Sequence, residues 1–258
     1  MDLELTGKIV CIAGSSRGIG RAIAEAFLRE DARVVVSGRT KEDLDRTAAE
    51  LEKAYGGDRV LPVHADLTDD AGITTYFQML EQRWGGLDIL VANIGSGRSV
   101  FGWDVPREEW DRMLDLNLTA SALLTRKAIP LMQRRAGGSI IFISSLAGME
   151  ALPAPLPYAC AKAGVVVLSK LLSRQFAVDH IRVNTVAPGN ILFPGGVWAR
   201  KLEEAPEQVQ AYISTDVPMR RMGIPKEVAD AVMFLASARA SFITGACLVV
   251  DGGQARGW

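Results

Sequence analysis

A chain of 258 residues is long enough to bury a large core, and its 29 lysines and arginines nearly cancel 30 aspartates and glutamates. That balance excludes the basic excess by which proteins gather nucleic acid or anionic membrane. Three scattered cysteines and two histidines give no paired spacing suited to a metal ion, the start MDLELTGKIV carries acids where an export signal carries bases, and no apolar run approaches a bilayer span of ~18 to 20 residues. The expectation is a soluble cytoplasmic protein with reduced, buried thiols and no metal.

The first strand, KIVCIAG from Lys8, runs directly into AGSSRGIGRAIAEAF, where Gly14, Gly18 and Gly20 bracket a turn into an amphipathic helix. Spaced glycines alone serve any tight turn. Between a strand and a helix in the first βα unit, they let backbone N–H groups and the positive helix end approach a pyrophosphate.

The second strand, from Arg33, ends in VVVSGRT. An Asp or Glu at that point would bind a ribose 2′-hydroxyl and repel a 2′-phosphate, whereas an Arg welcomes the phosphate. This chain offers Ser37, Gly38 and Arg39, with Arg17 of the glycine loop as a second cation for the same corner. NADP(H) is favoured over NAD(H), against a reading of both arginines as solvated surface.

After the helix KEDLDRTAAELEKAYG come the strands VLPVHAD, with His64 as a structural residue near its end, and LDILVANIG. The next helical stretch, EEWDRMLDLNLTASALLTRKAIPLMQRR, reads as one element. Asn117 lies on its apolar stripe with Trp110, Met113, Leu114, Leu118 and Leu124, where a carboxamide needs partners. The strand GSIIFISS then delivers Ser144 and Ser145 at its carboxyl end, and a Pro-rich loop leads to the helix opening YACAK.

In YACAK, Tyr158 and Lys162 project from the same face. The spacing alone marks an ordinary solvated helix face as readily as a site. A lysine cation near a phenol would stabilise the phenolate and lower a pKa that is ordinarily near 10.

The strand IRVNTVAPG follows, then the strand and helix rhythm breaks over 190–222 before resuming with a helical segment and CLVVDGG. That stretch holds Phe193, Val197, Trp198 and Tyr212, and its place after a strand end makes it a candidate substrate lid. No linker or repeat divides the chain, so 1–258 reads as one domain. Alternation of short Val/Ile/Leu runs with helical periods predicts an α/β fold: a Rossmann-type, doubly wound parallel sheet of about seven strands with helices on both faces.

The whole chain resembles the single-domain short-chain dehydrogenase/reductase family, and is similar to its 3-oxoacyl-carrier-protein reductases in the SRGIG loop. The resemblance implies an active-site set of Asn117, Ser145, Tyr158 and Lys162, with Ser145 thirteen residues before the tyrosine. It implies a dinucleotide held by Gly14, Ser16, Arg17, Gly18, Ile19, Gly20 and Arg39, by Asp66 and Leu67 at the adenine, by Asn93 and Gly95, by Tyr158 and Lys162, and by Pro188, Gly189 and Ile191 at the nicotinamide.

The chain departs from the family pattern in three places. Asn-Asn-Ala-Gly reads Ala92, Asn93, Ile94, Gly95; Ala13 replaces a common threonine; and Phe193 stands where a threonine often touches the cofactor. The resemblance further implies a homotetramer, and hydride transfer between NADP(H) and a carbonyl or alcohol, with a ketone or 3-oxoacyl reductase as the leading expectation. In the implied mechanism Asn117 holds a water that links Lys162 to solvent. The alternatives are an NAD-dependent alcohol or polyol dehydrogenase and a non-catalytic dinucleotide sensor.

Overall fold

The computed structural model describes residues 2–257. It alternates β1 (Ile9–Ala13), α1 (Gly18–Arg29), β2 (Arg33–Gly38), α2 (Lys41–Tyr55), β3 (Val60–His64), α3 (Asp70–Trp84) and β4 (Ile89–Ala92). The chain continues through α4 (Arg107–Leu114), α5 (Ala120–Gln133), β5 (Gly138–Ile143), α6 (Leu156–Phe176) and β6 (Ile181–Pro188). It closes with α7 (Val197–Glu204), α8 (Pro206–Asp216), α9 (Pro225–Ala236) and β7 (Cys247–Val250).

Strand order is β3-β2-β1-β4-β5-β6-β7, and each neighbouring pair is parallel. Because successive strand residues point to opposite faces, β1 feeds two cores. Ile9, Cys11 and Ala13 pack with Ile73, Tyr76 and Leu124 on one face, while Val10 and Ile12 pack with Phe27, Leu28 and Val232 on the other. This two-sided burial explains why the strand sequences run apolar without alternation.

The order reverses between β1 and β4, so the crevice outside their carboxyl ends is the natural ligand site of such a sheet. The glycine loop and Asn93–Gly95 both leave from it.

The helix expected from Glu108 onward is not continuous. A π-helical turn, Asp115–Thr119, separates α4 from α5 and carries Asn117. The wider turn rotates the helix so that Asn117 faces Ser96 instead of continuing the apolar stripe.

Two other expectations change. Cys11 is buried, and desolvation pushes its thiol up to about 12, but Cys160 is exposed, because its position in α6 falls on the outer face. The segment Leu156–Asp179, which contains α6, does match a bilayer span by composition, with a mean hydropathy of 1.3 over its best 18-residue window. It is a sheet-covering helix with Lys162 and Val165 buried against the core, and the reading for apolar runs overlooks it because scattered lysines and serines interrupt the stripe. His64 Nε2 lies 2.9 Å from the Arg39 carbonyl oxygen.

The segment 190–222 leaves and returns at one point. Leu192 N–H donates to Gly223 O at 2.8 Å, and Gly223 N–H donates to Asn190 O at 2.9 Å. Within the excursion, Val209, Ile213 and Met222 form a small core against Leu192, Trp198, Leu202 and Tyr212.

Candidate active site

Backbone geometry and three borrowed side chains build the glycine loop. Gly18 has φ +57°, and a Cβ on Gly20 would stand 2.1 Å from Gly14 O, so α1 can meet the loop only through glycine. Ser37 Oγ accepts from Gly14 N–H at 3.0 Å, Asn93 Nδ2 donates to Gly14 O at 2.8 Å, and Thr47 Oγ1 donates to Ser16 O at 2.7 Å. The hydroxyl of Ser37 therefore holds the loop, which leaves Arg39 as the cation at the end of β2. The opening turn of α1 presents N–H groups that have no intrahelical partner.

Arg39 is exposed, with Nη1 3.9 Å from Asp66 Oδ2. Partial burial of Asp66 opposes its ionisation, but hydrogen bonds from the Thr68 hydroxyl and amide, with Arg39 nearby, hold its pKa below the ordinary value. Arg17 Nη1 lies 3.7 Å from where a Cβ on Gly195 would stand, so its charge faces the 193–196 turn at the cleft. A residue on a loop can send a long side chain either way, and sequence position does not say which.

Phe193 packs its ring on Gly18, with Cε2 2.6 Å from a Cβ placed there. It thus occupies by apolar contact the place where a threonine would offer a hydroxyl.

A cleft of about 1250 Å³ runs along the carboxyl ends of the strands from Arg39 to Tyr212. Of the expected cofactor residues, Gly14, Ser16, Arg17, Ile19, Arg39, Asp66 and Leu67 line it at the β1 and β2 side. Asn93, Gly95, Tyr158, Lys162, Pro188, Gly189 and Ile191 line the remainder, while Gly18 and Gly20 shape the loop from behind. An elongated cleft with a helix N-terminus at its middle and an arginine at one end fits a nicotinamide dinucleotide.

Ser145, at the end of β5, and Tyr158, in the first turn of α6, share one wall of the cleft. Tyr158 is half-buried. Desolvation raises its pKa, and interaction with Ser145 works the other way.

Lys162 is buried, and Nζ donates to Ile143 O at 2.8 Å instead of pointing at the phenol. Burial lowers its pKa to about 8. The expectation that Lys162 depresses the Tyr158 pKa is therefore corrected: both groups are desolvated, and each is pushed toward its neutral form. Spacing of four residues fixes a shared helix face, not the destination of a long side chain.

Asn117 is fully buried; Oδ1 accepts from Ser96 N–H at 2.9 Å, and Nδ2 donates to Met113 O at 3.1 Å and Ser96 O at 3.3 Å. A Cβ on Gly95 would fall 2.5 Å from Asn117 Oδ1 and 2.9 Å from Lys162 Nζ, so the carboxamide and the ammonium converge on one glycine. Asn117 does not line the cleft and stands behind the Gly95–Ser96 backbone.

Sequence reasoning missed four contributors. Ser144 Oγ donates to Lys162 O at 2.8 Å and braces β5 to α6, Ile143 supplies the lysine's acceptor, Gly97 faces the Tyr158 ring, which a Cβ placed there would meet at 3.7 Å, and Arg98 Nη2 donates to Gly195 O across the cleft at 3.2 Å. Backbone carbonyls leave no residue signal; Ser144 had one, in its adjacency to Ser145.

A family model described as enoyl-(acyl carrier protein) reductase matches residues 13–255. The 3-oxoacyl-(acyl-carrier-protein) reductase FabG of Thermotoga maritima is 34% identical over 251 residues, covering 97% of this chain and 99% of the relative. Among solved structures, L-sorbose reductase from Gluconobacter frateurii, complexed with NADPH and L-sorbose, is similar with TM-score 0.94 at 33% identity over 100% of both chains. A 7α-hydroxysteroid dehydrogenase complexed with NADH and 7-oxo glycochenodeoxycholic acid gives TM-score 0.90 at 30% identity, covering 98% of this chain and 96% of that one.

Proposed function

The chain belongs to the short-chain dehydrogenase/reductase family, whose members act on CH–OH and C=O groups with NAD(P), and from that premise we propose that it is an NADP(H)-dependent reductase of ketones, the 3-oxoacyl class included. One observation carries the reading: Ser145 and Tyr158 line the same cleft, where a hydroxyl to hold a carbonyl oxygen and a phenol to protonate it are brought together. A protonated phenol is the donor that a carbonyl oxygen requires on reduction.

The bound cofactor supplies the hydride. Tyr158 gives its proton to the carbonyl oxygen as the carbon is reduced, and Ser145 Oγ holds that oxygen and stabilises the charge developing on it. Lys162, fixed between Ile143 O and the Gly95 backbone, stays where it can bond the nicotinamide ribose and return a proton to Tyr158. Asn117 secures the Gly95–Ser96 backbone against which the lysine packs. The segment 190–222 serves as the lid, a reading supported by its closed base and its own small core.

Selection of NADP(H) rests on Arg39 and the absence of a carboxylate at the end of β2. An Arg39→Asp variant is expected to lose about 30-fold or more in NADPH affinity, the worth of a charge-assisted contact, while NADH affinity changes little. Fluorescence titration of both cofactors checks this. A wild-type protein that prefers NADH, with a preference indifferent to the substitution, would instead support the NAD-dependent dehydrogenase, a reading favoured by the approach of Asp66 to Arg39.

Assembly as a homotetramer is supported by apolar side chains left exposed on and after α6, Val167, Leu171 and Val178, and near β7, Phe242 and Leu248. Light scattering is expected to give four times the chain mass of 27.8 kDa, and a monomer mass would remove the reading.

A further inference from the structure

Three polar side chains from separate elements meet on the β6 side of the cleft. Asn190 follows the Pro188–Gly189 turn, Tyr212 stands on α8, and Gln254 belongs to the segment after β7. Asn190 Nδ2 donates to the Tyr212 hydroxyl oxygen at 3.1 Å, and Gln254 Nε2 donates to the same oxygen. Tyr212 and Asn190 line the cleft; Gln254 lies behind them, 5% exposed, with Oε1 lacking a donor among the described residues.

A phenol oxygen can accept two hydrogen bonds and donate one. With both acceptor positions filled, the Tyr212 O–H still needs an acceptor, and among the described residues none takes it. The opposite orientation of the Gln254 amide would let Tyr212 donate to Oε1, which leaves the phenol one open acceptor position and Nε2 the buried atom without a partner. In either arrangement the Tyr212 hydroxyl keeps one hydrogen-bonding position unfilled, a donor in the first and an acceptor in the second.

The ring cannot turn away from the cleft at low cost. It is stacked on Trp198 with centroids 5.4 Å apart and planes 10° from parallel, and Lys201 Nζ lies 4.5 Å from the Trp198 ring centroid. The nearby lining mixes Val197, Ala205 and Val209 with Arg200, Lys201, Glu204 and Gln208, so the surroundings suit a substrate segment that carries a polar group.

We propose that Tyr212, held by Asn190 and Gln254, is a specificity-determining residue that reads a hydroxyl group on the substrate away from the reacting carbonyl, which makes the substrate class hydroxyketones and the corresponding diols. A hydroxyl both donates and accepts, so it completes either arrangement of the trio, whereas a hydrocarbon segment completes neither. The inference rests on the carbonyl-reductase reading.

The test measures kcat/KM with NADPH for 2-hexanone and for its derivatives carrying one hydroxyl at C4, C5 or C6. At least one hydroxyketone is expected to exceed 2-hexanone by about tenfold, and Tyr212→Phe, which keeps the stacked ring, is expected to abolish that excess. Gln254→Leu, which removes the phenol's buried partner, is expected to reduce the same ratio and decides the matter if the first variant unfolds. The inference is overturned if no hydroxyketone exceeds 2-hexanone, if the excess survives both substitutions, or if the substitutions lower all four substrates equally, as a purely structural role would. Failure of the underlying reading looks different: the wild-type enzyme would reduce none of the four ketones, nor any wider carbonyl panel, with either cofactor.

Discussion

Replacing Tyr158 by Phe is expected to lower kcat/KM for NADPH-dependent ketone reduction by about a thousandfold, within the range that a positioned general acid contributes, while NADPH binding stays within a few-fold of wild type. The substitution removes one oxygen and keeps the ring that packs against Gly97. The cleft retains its shape, so the loss lies in proton transfer. Ser145 remains beside the site but has no means of giving up a proton at neutral pH. Steady-state kinetics paired with fluorescence titration of NADPH check both halves of the expectation, and a variant of wild-type activity would end the assignment of Tyr158 as proton donor.

The second large effect belongs to Lys162. Lys162→Met is expected to cost at least about a hundredfold in kcat/KM, because it removes the group proposed to hold the ribose and return the proton. It also changes how stability depends on pH. The unfolded lysine keeps its proton up to 10.5, whereas the folded one releases it near 8, so between those values the unfolded chain binds more protons.

Folding therefore becomes more favourable as pH rises through that window, and the gain is lost again as pH falls from 10.5 to 8. Relative to Lys162→Met, the wild-type protein is expected to gain about 3 kcal/mol from pH 8 to 10.5, the worth of the displacement of this pKa from 10.5 to about 8. The raised pKa of Tyr158 acts in the opposite sense above pH 10, but Tyr158 is present in both proteins and cancels in the comparison. Urea unfolding of both proteins across the window measures the difference; a gap that does not move with pH would show that Lys162 is not desolvated as described.

Much of the candidate site was legible because its signals are local. The glycine loop is contiguous with the strand and helix that make sense of it, and YACAK places two side chains on one helix face by spacing alone. The absence of a carboxylate after VVVSG is likewise a statement about one position. Where a side chain's destination lay on another element, spacing failed. Lys162 reaches the Ile143 carbonyl, a group every residue carries and no sequence marks. Arg17 turns toward Gly195, and Ser37 spends its hydroxyl on the loop.

The π turn escaped notice for a related reason. The apolar pattern of the sequence continues through Asp115–Thr119, so periodicity reads one helix, and the wider turn with its Asn117–Ser96 bond shows only in three dimensions.

By itself, then, the sequence determined the strand and helix rhythm and the parallel doubly wound sheet, because burial pattern and helical spacing are properties of contiguous residues, and its family resemblance pointed to the glycine loop and to Ser145, Tyr158 and Lys162 as the proposed site. Tertiary structure decided the electrostatics and the polar trio proposed to meet the substrate. It desolvated Lys162 fully and Tyr158 in part so that both are driven toward neutrality, and it brought Asn190, Tyr212 and Gln254 to one point from three elements. Desolvation and long-range hydrogen bonding depend on what the fold places around a group, and a linear sequence does not carry that information.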